Sequence, residues 1–290
     1  MNWRQRFTQG QWRTRTTPAW ADAVGADFVE TIMDWNVTDD FHSKQGRSTG
    51  RLVLNSDLVV YLKRHWQLPW WHRLLACFHP TGNWTPAAQE WENLRSAQSI
   101  GVSVPEPLAM GQRVGPGLKL QSFLVIRELT GMLPLHQAIP LAQSIMPSAS
   151  FTRWKNQLLI QVAEMATRLH TTHYYHKDLY LCHYYVKTPQ AMDQSPGPLT
   201  LIDLHRLGYH RWTAWRWQNK DMAQLLFSTL GVAGLDGHDR ELILQAYRGN
   251  KRQTWLNRMF EAMVRLKARR YARHNSIEES VPRESKGKAA

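Results

Sequence analysis

The hydrophobic pattern of the chain changes near residue 132, from short β-rich runs to long helical repeats. Upstream of this point, residues 46–66 form two apolar runs that are separated by Asn55-Ser56-Asp57, a combination typical of a β-hairpin. Residues 119–131 form another β-rich run. Between them, residues 86–100 repeat apolar side chains at helical spacing and begin with a proline. The first half therefore predicts a sheet with one helix.

Helical repeats dominate the second half of the chain. Residues 152–171 place their apolar side chains on one helix face. Further helices are predicted at 219–230, 238–248 and 251–272, and LTLIDL reads as a short strand. The order of elements predicts an α+β fold with a smaller sheet-rich part and a larger helical part.

These patterns divide the chain into four segments. Residues 1–40 are predicted to be an irregular basic arm, residues 41–132 a sheet-rich domain and residues 133–273 a helical domain. The composition of residues 274–290 predicts a disordered tail.

Four charged residues stand at or near the ends of predicted elements. Lys63 ends the strand VVYLK, Glu90 lies in the next helix, Asp178 follows the long helix and Asp203 follows LTLI. Phosphoryl transfer by the kinase fold needs this order: a Lys on the phosphates, a Glu that orients it, an Asp at the acceptor hydroxyl and an Asp on Mg²⁺. Carboxylate oxygens suit Mg²⁺, and the transferred group carries negative charge that must be neutralised. The set indicates an ATP-dependent phosphotransferase.

Each of these residues also has an ordinary structural explanation. Lys63 could be a solvated strand end, and Glu90 could be a first-turn acid favoured by the helix dipole. Asp203 could cap a turn, and His176 could be a packed loop residue. For each residue alone, the ordinary explanation is favoured. The kinase interpretation is favoured when all four charged residues are considered together, because they occur in the required order on the required elements.

A glycine pair precedes Lys63. Gly46 and Gly50 enclose the segment GRSTG, which the pattern places between strands. Glycine lets backbone N–H groups approach phosphates closely, although turns between strands contain glycine for other reasons as well. Gly46 and Gly50 are therefore candidates for contact with the nucleotide.

Three segments resemble the bacterial lipopolysaccharide core kinases, the family that phosphorylates heptose or Kdo (an eight-carbon acid sugar) in the inner core. They are HKDLYLCHYYV (176–186), LIDLHRLG (201–208) and AAQEWENLRSAQSIGVSVPEPLAMG (87–111). The resemblance covers about residues 40–270 and is most specific in the first of these segments. It implies a bilobal protein-kinase-like fold, with a small β-rich N-lobe and a larger helical C-lobe.

The resemblance also implies site residues and cofactors. It makes Asp178 the catalytic Asp, Lys63 the ATP-binding Lys with Glu90 as its partner, and Asp203 the Mg²⁺ ligand. His176 and Asp221 are implied as supports of the catalytic loop, with Asp221 on the following helix bracing it.

Two features depart from the protein-kinase pattern. His183 stands five residues after Asp178, where protein kinases place an Asn that binds a second metal ion. Imidazole is a poorer ligand for Mg²⁺, so His183 is a metal candidate that could instead bond a phosphate oxygen or simply pack. Asp203 is followed by Leu-His and no Ala-Pro-Glu follows, so regulation through a phosphorylated activation loop is not indicated.

The segment after Asp203 is the candidate acceptor region. Arg206, Arg211 and Arg216 alternate there with tyrosine and tryptophan. Guanidinium groups bind phosphate or carboxylate, and aromatic rings cover sugar faces. The plainer alternative is the solvated start of an amphipathic helix.

The net charge of the chain limits the kinds of partner that it can bind. The net charge is +13 and the pI about 10.0, which favours an anionic partner without choosing among lipid, nucleic acid and phosphorylated substrate. We expect a lipopolysaccharide core acceptor and contact with the inner-membrane surface, and consider nucleic acid unfavoured. Two alternatives remain: a kinase for another small molecule or a protein, and an inactive kinase fold that binds an anionic membrane surface or nucleic acid.

The expected location is the cytoplasm, at the inner face of the inner membrane. Two cysteines cannot build a disulfide framework, which favours a reducing compartment. The N-terminus has no apolar core of signal-peptide length, and no apolar run has the length of a membrane span.

Overall fold

A computed structural model describes residues 10–25, 27–36, 46–55, 58–72, 83–114, 119–249 and 253–280. The chain divides into two compact units. The first contains residues 1–132 and 200–207, and the second contains residues 133–199 and 208–290. Strands dominate the first unit and helices the second, which confirms the predicted α+β class.

An antiparallel five-stranded sheet forms the first unit, in the order β1-β4-β5-β3-β2. The strands are β1 (Arg13–Thr16), β2 (Arg47–Asn55), β3 (Leu58–His65), β4 (Pro107–Val114) and β5 (Leu120–Arg127). The hairpin predicted at 46–66 is confirmed, because β2 pairs with β3. The strand predicted at 119–131 corresponds to β5.

The sheet packs its apolar face against residues upstream of the hairpin. Two short helices, α1 (Pro18–Val24) and α2 (Phe28–Thr31), lie in this region. Trp20 is fully buried and Phe28 nearly so, in one cluster with Val60 and Phe123 of the sheet. The prediction of an irregular arm over residues 1–40 is therefore wrong for the described part, since burial of aromatic rings orders it.

Helix α3 (Pro86–Ser99) packs on β4 and β5. Pro86 occupies its first turn, and the Thr85 hydroxyl accepts a hydrogen bond from the Ala88 N–H at 3.2 Å, which caps the helix. Trp91 and Leu94 are buried. The helix predicted at 86–100 is confirmed.

Residues 200–207 belong to the first unit, although they follow the helical part in sequence. The segment contains β9 (Thr200–Leu201) and a one-turn 3₁₀ helix, Leu204–Arg206. The Leu201 N–H donates to the Ser103 carbonyl at 2.9 Å, and the Asn93 amide donates to the Leu204 carbonyl at 2.8 Å. The predicted division after residue 132 coincides with that of the two units, but the assignment of residues 200–207 to the helical domain is wrong.

Five helices form most of the second unit. They are α4 (Leu135–Ile145), α5 (Ser148–Thr171), α6 (Ala214–Ser228), α7 (Gly237–Arg248) and α8 (Trp255–Ser280). Short strands complete the chain, namely β6 (Met132–Pro134), β7 (Tyr174–Tyr175), β8 (Tyr184–Lys187) and β10 (Gly208–Tyr209). The helices predicted from periodicity correspond to α5–α8, whereas α4, which contains Pro140, was not predicted.

Helix α8 extends to Ser280. Residues 274–280, which were predicted as part of a disordered tail, are therefore helical, and residues 281–290 lie outside the described part. In the described part of the chain, no helix combines the length and the apolar character needed to cross a membrane.

Candidate active site

Lys63 and Glu90 form a short ion pair in the first unit. The Lys63 Nζ lies 2.6 Å from the Glu90 Oε1. Strand β3 buries Leu62 in the sheet core, so alternation turns Lys63 to the opposite face, where it meets α3. The Glu90 side chain is 8% exposed and that of Lys63 is 24% exposed, so solvent screens this pair less than a surface pair.

This geometry excludes the ordinary structural explanations of Lys63 and Glu90. Helix α3 has no acid in its first turn, so the helix dipole does not account for Glu90. Lys63 lies inside β3, with Thr49 of β2 on one side and Leu124 of β5 on the other, and is not a solvated strand end.

Asp203 adopts a left-handed backbone conformation, with φ 64° and ψ 49°. Left-handed geometry is unfavourable for residues other than glycine and concentrates at functional sites, although Asp tolerates it better than most. The hydrogen bond from Asn93 to the Leu204 carbonyl holds the neighbouring residue in place. Because Asn93 lies one helical turn after Glu90 on α3, one helix anchors both the Lys63 partner and the Asp203 segment.

The Asp203 carboxylate suits a magnesium ion, since Mg²⁺ is commonly bound by one or two carboxylates plus substrate phosphates and water. His205 Nδ1 lies 2.5 Å from Asp203 Oδ1, which orients the carboxylate. In the described part of the chain, no three His, Cys, Asp or Glu side chains cluster as a metal cage, so phosphates and water would have to supply the other ligands.

His183 is the second metal candidate and belongs to the second unit. Its Nδ1 lies 2.8 Å from the Asp178 carbonyl oxygen, and its ring stacks on His176 with centroids 5.5 Å apart. These contacts favour a packing and orienting role through Nδ1. Ligation of a metal by Nε2 stays a prediction.

The loop that contains Asp178 is fixed by Asp221 of α6. Asp221 is fully buried, and its two carboxylate oxygens accept hydrogen bonds from the backbone N–H groups of His176 and Lys177, both at 2.8 Å. Lys177 has a positive φ of 68°, so the loop needs such an anchor to keep its shape. The contact has the geometry that a bracing role for Asp221 requires.

Asp178 faces the middle of α6. The Lys220 Nζ lies 3.6 Å from the Asp178 Oδ1, and Lys220 also donates to the Lys177 carbonyl. The Gln224 amide lies 3.4 Å from the same carboxylate oxygen. The Asp178 side chain is 17% exposed, so it remains accessible to an incoming group.

His170 was missed by the sequence analysis. It is buried at the end of α5, with Nε2 3.3 Å from Asp221 Oδ2 and Nδ1 2.8 Å from the Tyr247 hydroxyl. Burial, and then the nearby Tyr175 and Asp221, raise the pKa of Tyr247 far above its usual value. Tyr247 therefore stays protonated and can donate to Nδ1, which leaves the Nε2–H of His170 to donate to Asp221.

A pocket of about 330 Å³ opens beside His170. It lies among helices α5–α8, and Tyr247, Trp215 and Phe260 contribute most of its aromatic lining. It includes His170, which contacts Asp221, but does not include Asp178.

The three candidate acceptor arginines are all exposed. Arg206 lies in the first unit, while Arg211 and Arg216 lie in the second, before and within the first turn of α6. The Arg211 guanidinium lies 5.7 Å from the Trp212 ring centre, and that of Arg216 lies 5.2 Å from the Trp217 ring centre. No role in acceptor binding follows from these contacts alone.

The glycine segment is not a loop between strands. Gly50 lies inside β2 opposite Leu62, and Gly46 precedes the strand with a positive φ of 72°. The expectation that this segment lies between strands is wrong for residues 47–50, which pair with β3. Contact of Gly46 and Gly50 with the nucleotide stays a prediction. Residues 37–45, immediately upstream, lie outside the described part.

Comparison with known proteins identifies the family to which the chain belongs. A model of the lipopolysaccharide kinase (Kdo/WaaP) family matches residues 35–247. The chain belongs to this family. The match includes all the candidate site residues from Gly46 to Asp221 and ends before α8.

Two curated relatives carry the name lipopolysaccharide core heptose(I) kinase WaaP. The protein from Pseudomonas aeruginosa is 32% identical over 161 residues, which is 56% of this chain and 59% of the relative. The protein from Escherichia coli K12 is 27% identical over 163 residues, which is 56% of this chain and 60% of the relative. The alignments thus span less than two thirds of the relatives' length.

A solved structure, described as WaaP in complex with acyl carrier protein, is also similar. It is 26% identical, with a TM-score of 0.69, and the match covers 90% of this chain and 98% of that chain. The protein-kinase-like fold implied by the sequence resemblance is thereby confirmed.

Proposed function

We propose that this protein is an ATP-dependent kinase that phosphorylates a sugar hydroxyl, of heptose or Kdo, in the lipopolysaccharide inner core. The observation that carries the proposal is the Lys63–Glu90 ion pair at 2.6 Å. Glu90 lies on α3, the helix that also anchors the Asp203 segment. The names of the relatives favour heptose as the acceptor sugar.

The first unit supplies the donor side of the reaction. The Lys63 ammonium binds phosphate oxygens of ATP, and Glu90 holds it in position. Asp203 is the residue that would hold Mg²⁺, which when bound neutralises phosphate charge. The left-handed turn at Asp203 and its contact with His205 set the direction of the carboxylate before the nucleotide arrives.

The second unit supplies the acceptor side. The Asp178 carboxylate accepts a hydrogen bond from the acceptor hydroxyl and takes its proton as the phosphoryl group is transferred. Asp221 holds the loop through two backbone N–H groups, and His170 in turn holds Asp221. Arg206, Arg211 and Arg216 are candidates for binding phosphate or carboxylate groups of the acceptor.

Labelled-phosphate transfer from ATP·Mg²⁺ to purified inner-core lipopolysaccharide tests this proposal, with mass spectrometry locating the phosphorylated sugar. We expect transfer to one core sugar by the wild type. ATP·Mg²⁺ binding without transfer to core sugar would indicate a different acceptor, and absence of nucleotide binding would contradict the kinase assignment.

We further propose that the protein acts at the cytoplasmic face of the inner membrane. Trp212 before α6 is 90% exposed and Trp255 at the start of α8 is 71% exposed, and Arg211 and Arg258 lie beside them. Aromatic and basic side chains together suit an anionic lipid surface. An acyl carrier protein is a second candidate partner, because the similar WaaP structure was solved with one. Co-purification with that carrier tests it.

A further inference from the structure

The region around Asp178 in the second unit carries more positive charge than its acids balance. Helix α6 contributes Arg216 and Lys220, the catalytic loop contributes Lys177, and α8 contributes Lys267. We call Arg216, Lys220 and Lys267 the cationic cluster. None of its members belongs to the donor-side residues proposed above.

Trp217 organises one side of the cationic cluster. The Lys220 Nζ lies 5.8 Å from the Trp217 ring centre, and the Arg216 guanidinium lies 5.2 Å from it. Lys177 Nζ lies 5.2 Å from the same ring. Cation–π contacts hold these side chains in place without neutralising them. The Arg216 guanidinium is therefore held beside the indole with its charge intact.

Helix α8 brings Lys267 to the same place. Helices α6 and α8 pack along each other, with the Phe227 and Tyr271 rings 6.0 Å apart. Lys267 lies one helical turn before Tyr271 and on the same face. Burial, and then the charges of Lys220 and Arg216, lower the pKa of Lys267. Lys267 is thus a neighbour of the other two cations.

The nearby acids do not balance this charge. Asp178 contacts Lys220, and Asp221 already accepts two backbone hydrogen bonds and one from His170. Arg216 and Lys267 form no ion pair with any carboxylate in the described part of the chain. Like charges held together cost free energy unless an anion binds among them.

We propose that the cationic cluster is a subsite that binds an anionic group, phosphate or carboxylate, already present on the acceptor. The inference rests on the proposed kinase function and deepens it, because it makes an anionic acceptor the preferred substrate. Lys220 sets the distance of the subsite from the reacting hydroxyl, since its ammonium lies 3.6 Å from the Asp178 carboxylate. Lys267 lies outside the region matched by the family model, so α8 would add specificity to the shared core.

The first test uses inorganic phosphate as the probe. Calorimetric titration is performed in the presence of Mg²⁺ and a non-hydrolysable ATP analogue, so that the proposed nucleotide site is occupied. Wild type and Lys267→Arg are expected to bind phosphate, whereas Lys267→Met is expected to lose about tenfold in affinity, as for one charge-assisted hydrogen bond. Lys187→Met is the matched control, because Lys187 is an exposed lysine at the end of β8. Equal affinity in Lys267→Met and Lys187→Met would overturn the subsite.

The second test is steady-state transfer to inner-core lipopolysaccharide. Lys267→Met should raise the acceptor KM about tenfold and leave the KM for ATP within about twofold, while Lys267→Arg retains the wild-type acceptor KM. A rise in the KM for ATP alone would overturn the proposal, because the bound anion would then belong to the nucleotide. Arg216→Gln, on α6, should likewise raise the acceptor KM and leave the KM for ATP unchanged, and it tests the proposal if Lys267→Met fails to fold. No transfer by the wild type would contradict the proposed function, and the phosphate titration would still decide the subsite.

Discussion

At the scale of single residues, the Lys63–Glu90 pair is the contact with the most direct consequence for catalysis. Glu90→Gln keeps the size of the side chain but removes the charge that positions Lys63. We expect kcat/KM for ATP to fall by about 10- to 100-fold, since a misplaced Lys no longer meets the phosphates. Steady-state kinetics with varied ATP measures this.

Glu92→Gln is the matched control for that change. Glu92 lies two residues further along α3 and pairs with Arg15, away from Lys63. Equal losses in the two variants would mean that the fold of α3, and not the Lys63 contact, is responsible.

His65 predicts a pH dependence of stability. Burial, and then the charges of Arg47 and Lys63, lower the pKa of His65 to about 4 from its ordinary value of 6.5. Between these two values the unfolded chain binds a proton that the folded chain does not, so stability falls as pH falls from 6.5 towards 4. The total loss is about 3 kcal/mol by this linkage.

Urea denaturation at pH 7 and pH 5 checks the contribution of His65. The wild type should lose stability at the lower pH, and His65→Gln should lose less, because Gln does not titrate. An identical pH dependence in both proteins would exclude His65 as the cause.

Residue roles were predictable only in part. Lys63, Glu90, Asp178 and Asp203 could be selected because each follows or lies in a recognisable element, and the structure places the first two in contact. The structure does not test their catalytic roles. His170 and Lys267 gave no such signal. His170 contacts Asp221, and Lys267 lies within the electrostatic influence of Lys220 and Arg216, and these partners are distant in sequence.

At the scale of secondary structure, the helices α1 and α2 are integral to the sheet. Trp20 is fully buried and packs edge-on against Phe28, with ring centres 5.4 Å apart. Trp20→Ala should lower the free energy of unfolding by about 3–5 kcal/mol, as for other large-to-small core changes. Chemical denaturation measures the loss.

Trp70→Ala is the control, because Trp70 is 64% exposed. It should change stability by less than about 0.5 kcal/mol. If Trp20→Ala were as stable as this control, helices α1 and α2 would not contribute to the stability of the sheet.

The exposed tryptophans near α6 and α8 predict lipid binding. Trp212→Ser with Trp255→Ser should reduce cosedimentation with anionic phosphatidylglycerol vesicles by several-fold, because two interfacial rings are lost. Met192→Ser removes a comparably exposed apolar side chain, from the segment after β8, and should have no effect. Unchanged vesicle binding in the double variant would contradict the proposed membrane contact.

Element prediction succeeded where periodicity was clear and failed where tertiary packing decides. β2, β3, α3 and α5 follow from alternation or helical spacing. Helices α1 and α2 are short and interspersed with polar residues, and only burial against the sheet stabilises them. Helix α4 contains Pro140, a residue that disfavours a helix interior, and no helix was predicted there.

At the scale of the whole molecule, the two units divide the proposed chemistry. The first unit contains the Lys63–Glu90 pair and Asp203, and the second contains Asp178, its brace Asp221 and the cationic cluster. Sequence order alone assigned Asp203 to the helical domain. Its hydrogen-bonded neighbours on α3 and at Ser103 place it in the sheet unit instead.

This division makes the effects of substitution separable. Asp203→Ala and Lys63→Ala should weaken ATP·Mg²⁺ binding and transfer together, because both act on the donor. Asp178→Asn should abolish transfer and leave ATP·Mg²⁺ binding within about twofold of wild type, because the carboxylate acts on the acceptor hydroxyl.

The most direct measurement is therefore made on Asp178→Asn. Its affinity for ATP·Mg²⁺ is measured by calorimetry, and its phosphate transfer to inner-core lipopolysaccharide is measured beside the wild type. The account predicts wild-type nucleotide affinity with no transfer. Full transfer by the variant, or loss of nucleotide binding in parallel with transfer, would contradict it.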